Sequence, residues 1–135
     1  METQTEITQA SYDIIGCAIE VHELLGPGLL ESVYEECLIQ ELLLQGMQVE
    51  RQVEIPLYYK GKKLSSSYRV DLLVNEKIIL ELKVVEKVLS VHKAQLLSYL
   101  KLANKPKGIL INFHTDNIVN SAVHLVTEQF RKLPK

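Results

Sequence analysis

Residues 68–85 read Tyr68-Arg69-Val70-Asp71-Leu72-Leu73-Val74-Asn75-Glu76-Lys77-Ile78-Ile79-Leu80-Glu81-Leu82-Lys83-Val84-Val85. Two apolar runs flank a polar turn at Asn75-Glu76-Lys77. The stretch therefore predicts two antiparallel strands, the second short and aliphatic as a central strand is. Alternate side chains of a strand share a face, so Ile78, Leu80, Leu82 and Val84 line one side and Ile79, Glu81, Lys83 and Val85 the other. A carboxylate and an ammonium on a buried strand cost several kcal/mol per ion unless they are paired or bind a metal. One reading is a Glu81/Lys83 ion pair on a solvated sheet face. Asp71 favours another, because it is a lone acid in an apolar run and the hairpin sets it opposite Glu81 or one position away. Two facing carboxylates repel unless a cation lies between them. Hard oxygen ligands suit Mg²⁺ or Mn²⁺, and an adjacent lysine suits the stabilisation of anionic phosphate or the orientation of a water.

Working outward, residues 49–59 are rich in β-formers and lead through Lys60-Gly61-Lys62, a hairpin tip, to the strand at 68–74, which makes a three-stranded meander. Upstream, Ile7, Ala10, Ile14, Ile15, Ala18, Ile19, His22 and Leu25 recur at helical spacing, with Thr8 or Ser11 as candidate caps, until Gly26-Pro27-Gly28. A second helix over 30–45 carries Val33, Tyr34, Cys37, Leu38, Glu41 and Leu42 along one side and stops at Gly46. Downstream, residues 90–102 return to helical period and 108–113 form a fourth strand. The last segment, with Ile118, Ala122, Leu125, Val126, Phe130 and Leu133, fits a helix or a short strand.

The chain has 135 residues, 47% hydrophobic and 24% charged, which suits one domain over 1–135 with a core over about 14–113. No apolar run is long enough to cross a bilayer, so no membrane partner is expected. The polar, acidic start METQTEITQA is unlike a signal or transit peptide, and Cys17 and Cys37 in apolar helical contexts read as buried thiols. A cytoplasmic protein without zinc is expected. The formal net charge of −2 argues against a general nucleic-acid binder, but it conceals a split. Through Tyr59 there are eleven acids and one base, Arg51, for a net of −10; from Lys60 onward there are fourteen bases and six acids, for +8. That asymmetry reads either as a polyanion-binding face or as complementary surfaces within a fold or dimer.

The order of these features resembles a known family. Asp71 followed by Glu81-Leu82-Lys83 is similar to the D...(D/E)xK signature of the PD-(D/E)xK nuclease superfamily. Gly28-Leu29-Leu30-Glu31-Ser32-Val33-Tyr34 resembles the motif that names its GxxExxY family, and Gln95 and Tyr99 match the QxxxY helix motif of the RecB-like branch. The proline of the superfamily's name has no equivalent before Asp71. The resemblance implies an α/β fold with a central mixed sheet flanked by helices, preceded by a helical hairpin. It further implies a divalent metal, Mg²⁺ or Mn²⁺, held by Asp71, Glu81, the Leu82 carbonyl and Glu31, with Lys83 as catalytic lysine and Gln95, Tyr99 and Tyr34 as substrate-binding residues.

Each residue also has a packing interpretation. Glu31 suits the positive end of its helix, an effect of about 0.3–1 kcal/mol. Tyr34 and Tyr99 suit half-buried packing positions with a bonded hydroxyl, and Gln95 a solvated one. His22 and His92 read as structural, with His22 closer to the site. The expected activity is metal-dependent hydrolysis of DNA, with RNA an open alternative substrate and a homodimer or larger complex completing a small footprint. The rival is a catalytically inactive nucleic-acid-binding or protein-interaction module of the same fold. No aromatic stacking platform or recognition helix stands out. Lys60, Lys62, Lys63, Arg69, Lys87, Lys93 and Lys101 are available for a phosphate track if they share a face.

Overall fold

Helical periodicity begins at Ile7, but the helix starts earlier, because Thr3 rather than Thr8 or Ser11 caps it: Thr3 Oγ1 accepts the Glu6 amide at 3.1 Å. In the computed structural model, which describes residues 3–135, α1 spans Gln4–Leu25 and α2 spans Glu31–Leu44. Ser11 lies inside α1 and turns its hydroxyl back to the Ile7 carbonyl at 2.9 Å. The N-terminal leader reading rests partly on Met1 and Glu2, which lie outside the described residues.

Strands β1 (Val49–Tyr59) and β2 (Lys62–Val74) form a long antiparallel hairpin, and β3 (Ile78–Lys83) pairs antiparallel with β2. β2 begins six residues before the expected start. Lysines and serines at 62–67 give no apolar period, and the backbone pairing with β1 carries them. After α3 (Ser90–Leu102), β4 (Lys107–Asn112) runs parallel to β3. The ambiguous tail resolves into α4 (Ile118–Ser121), β5 (Val123–Val126) antiparallel to β4, and α5 (Glu128–Arg131). The result is a five-stranded mixed sheet in the order β1-β2-β3-β4-β5, flanked by helices.

β3 is buried on both faces, as its aliphatic run requires. Ile78, Leu80 and Leu82 meet Ile14, Ala18, Leu38 and Leu42 from α1 and α2, while Ile79 faces Leu96 and Leu100 of α3. β3 stops at Lys83 rather than Val85 because the buried Asn112 side chain takes over the pairing: it accepts the Val85 amide at 3.1 Å and donates to the Val85 carbonyl at 2.8 Å. α3 lies so close to β4 that a Cβ on Gly108 would meet Leu100 Cδ1 at 2.7 Å. Gly108→Ala is therefore expected to destabilise the fold by about 1–3 kcal/mol, read as a lower urea midpoint at unchanged slope.

Candidate active site

The register Leu72↔Leu80 ends the paired part of β2 and β3, and one step further it sets Asp71 opposite Glu81. There the strands open. Asp71 Oδ2 accepts the backbone amide of Leu82 at 2.7 Å, which fixes the aspartate against the end of β3 while the Leu82 side chain anchors in the core. Glu81 is 7% exposed, and its Oε1 is the one buried side-chain oxygen or nitrogen without a hydrogen-bond partner among the described residues. Burial foremost, then the Asp71 charge, pushes the Glu81 carboxyl up to about 8, against the pull of a Tyr68 hydrogen bond and the Lys83 charge. Lys83 is half-buried on the last position of β3, with its ammonium in no ion pair among the described residues.

Tyr68 carries no sequence signal that marks it as a site residue. It lies on β2 three residues before Asp71, donates its hydroxyl to Glu81, and stacks on Tyr99 of α3 with ring centroids 3.6 Å apart at 11°. Burial first, then Glu81, holds the Tyr68 phenol well above its ordinary range, so it stays a donor. Tyr99 thus braces the residue that holds Glu81. Its half-buried place agrees with the packing interpretation of Tyr99, while its partner Tyr68 is not legible from the i,i+4 pairing with Gln95; Gln95 itself is exposed, one turn away on α3.

Glu31 opens α2, and Gly28, at φ +100°, permits the turn that brings the helix there. Its carboxyl is pushed up by partial desolvation first, then by Asp71, with Lys83 pulling it down, so Glu31 shares the electrostatic neighbourhood of both. Tyr34 differs from expectation. It is fully buried, stacks on Phe113 at 4.5 Å, donates its hydroxyl to the Gly26 carbonyl and accepts the Leu29 amide at 3.2 Å. With no exposed surface it cannot touch a substrate in this conformation. It clamps the 26–30 turn that aims Glu31. Sequence reasoning also missed Glu35, buried one turn along α2 and paired with Arg51 at 2.8 Å and Gln52 at 2.8 Å. His22 meets the Thr115 carbonyl at 2.7 Å, and His92 Nδ1 accepts the Leu89 amide at 3.0 Å ahead of α3, so both are structural.

The donor chemistry fits a hard divalent cation at the Asp71/Glu81 pair, since an orphaned buried carboxylate oxygen beside a second acid is what such an ion would satisfy. Among the described residues, no three His, Cys, Asp or Glu side chains stand close enough to hold an ion as they are. Residues 8–124 match the family model of the PD-(D/E)XK nuclease superfamily. The chain belongs to that superfamily. No curated protein and no solved structure matches it. Membership in this nuclease superfamily agrees with the mixed sheet and helices described above and points to metal-dependent chemistry on nucleic acid. Among the described residues no helix is long and apolar enough to cross a membrane.

Proposed function

We propose that this superfamily member hydrolyses phosphodiester bonds in DNA, and that it belongs to the GxxExxY family of the RecB-like branch. The observation that carries the reading is the orphaned, buried Glu81 oxygen beside Asp71 at the end of β3. Asp71, Glu81 and the Leu82 carbonyl, with Glu31 as a further acid, are the residues that would hold Mg²⁺ or Mn²⁺. When bound, such an ion supplies Lewis acidity and lowers the pKa of a water. Lys83 stabilises the negative charge that develops on the phosphate as the water oxygen bonds to phosphorus and one ester P–O bond breaks. Tyr68, braced by Tyr99, orients Glu81, and Gln95 is a substrate contact on the exposed side of α3. A cytoplasmic location accords with the two free cysteines, Cys17 and Cys37.

Calorimetry with Mn²⁺ separates this enzyme from an inactive module of the same fold. Wild type is expected to bind the ion and Asp71→Ala to bind it at least about tenfold more weakly, because the variant lacks a first ligand. Equal binding by both proteins would remove Asp71 from the site. The companion assay follows linear, circular and single-stranded DNA, with RNA as a further substrate, in Mg²⁺ or Mn²⁺. Binding of nucleic acid without any cleavage would favour the module.

A further inference from the structure

The strongest unassigned feature is the distal half of the β1–β2 hairpin. β2 extends over Lys62–Val74, but β3 pairs with it only from Leu72 to Val74 and ends at Lys83, level with Arg69, so residues 62–68 run on past the carboxyl end of β3, the end that carries Glu81 and Lys83. The hairpin therefore projects from the site's own end of the sheet. Tyr68 roots it there through its bond to Glu81 and its stack on Tyr99.

The tip has a consistent chemistry. From Ile55 to Val70 there is no acid, while Lys60, Lys62 and Lys63 sit at the tip, all exposed and in no ion pair among the described residues. Tyr58 faces Lys63 across the strands and Tyr59 faces Lys62, and cross-strand partners share a face. Because side chains alternate, each face of the ribbon carries one tyrosine beside one lysine. Tyr59 is 58% exposed, with the Lys60 ammonium 5.5 Å from its ring centroid. Exposed aromatics beside ammonium groups in no ion pair suit a ligand with flat apolar faces and regularly spaced negative charge. Arg69, by contrast, is already engaged with Glu54 at 3.5 Å.

We infer that the hairpin tip is a nucleic-acid-binding arm that grips the single strand flanking the bond to be cut, the lysines on its phosphates and Tyr59 stacked on an unpaired base. The inference rests on the nuclease reading above and adds to it where the strand goes. Only an unpaired base offers a free face to stack on, which favours single strand over duplex. At about 3.3 Å per residue, Lys63 lies roughly 17 Å beyond Tyr68, so the arm reaches several nucleotides from the reacting phosphate.

The test uses fluorescence anisotropy of the full chain in EDTA, with a labelled oligothymidylate of about 20 nucleotides and its duplex with oligoadenylate. The triple variant Lys60→Gln, Lys62→Gln, Lys63→Gln is expected to bind the single strand at least about tenfold more weakly. It should also lower the slope of log affinity against log salt by about 2, the share of three released counterions. Tyr59→Ala is expected to weaken single-strand binding about fivefold or more and to leave the duplex unchanged. These side chains are exposed, so circular dichroism should match wild type. An unchanged salt slope in the triple variant, in a protein that still cleaves with Asp71 dependence, overturns the arm and spares the nuclease. Equal losses on single strand and duplex for Tyr59→Ala overturn the single-strand assignment. Wild type that binds neither probe overturns the arm, while cleavage in Mg²⁺ or Mn²⁺ decides the nuclease separately.

Discussion

Lys83→Ala and Glu81→Ala are each expected to reduce DNA cleavage by about 10²–10³-fold or more while the chain remains folded. Lys83 ends β3 with its ammonium outside any ion pair among the described residues, so its removal breaks no pairing that the fold uses. What it removes is the one lysine whose charge acts on both Glu81 and Glu31, the positive group where phosphate charge would develop. Glu81→Ala removes the orphaned oxygen itself. The measurement is initial cleavage rate on linear DNA at saturating Mg²⁺ or Mn²⁺, with thermal midpoints recorded beside it. Full activity in either folded variant would sink the assignment.

The second large effect is on stability. The Glu81 carboxyl is held near 8 in the metal-free fold, first by burial and then by Asp71, against an ordinary value of 4.5. The native state thus keeps a proton that the unfolded chain gives up, and the sign follows: Glu81 contributes stability fully below about 4.5, and that contribution is lost as pH rises through about 8. The full swing is on the order of 5 kcal/mol, since each unit of difference is worth about 1.4 kcal/mol. Glu81→Gln keeps an acceptor for Tyr68 and carries no charge. In EDTA, wild type is therefore expected to lose thermal stability relative to Glu81→Gln between pH 5 and 9, with the gap widest at the alkaline end. Mn²⁺ should close the gap, because it favours the ionised carboxylate. Melting points that stay parallel across this range would show that Glu81 is not held protonated.

The geometry of Asp71 and Glu81 was legible because hairpin register and strand alternation are local, and both survive into the fold unchanged. Tyr68 was not, since period two reports which face a side chain takes but not that the helix after β3 will stack upon it. Tyr34 shows the converse. A motif tyrosine three residues from a motif glutamate reads as a partner in binding, yet one helical turn separates the surface from the core, and its hydroxyl serves the Gly26–Leu30 turn instead. The start of α1 and the tail after β4 escaped for a further reason. Polar first turns and four-residue elements carry too few apolar positions for periodicity to register, and backbone pairing or a cap at Thr3 decides them.

The −2 charge also takes on a different meaning once placed. Among the described residues most acids of the first part lie on α1 and α2, where Asp13, Glu20 and Glu41 share a groove, with Glu50 and Glu54 on β1, and the lysines at the β1–β2 tip stay exposed.

Arg51, the only base in that acidic part, is committed to Glu35. Glu35 would otherwise be a buried, unneutralised carboxylate, and Gln52 adds a second bond from the same strand. This ties α2 to the outermost strand of the sheet by a contact that cannot be broken cheaply on one side alone. The tie sits one helical turn along α2 from Glu31, the first residue of that helix. The same arginine thus holds the sheet's edge strand to the helix that begins at Glu31.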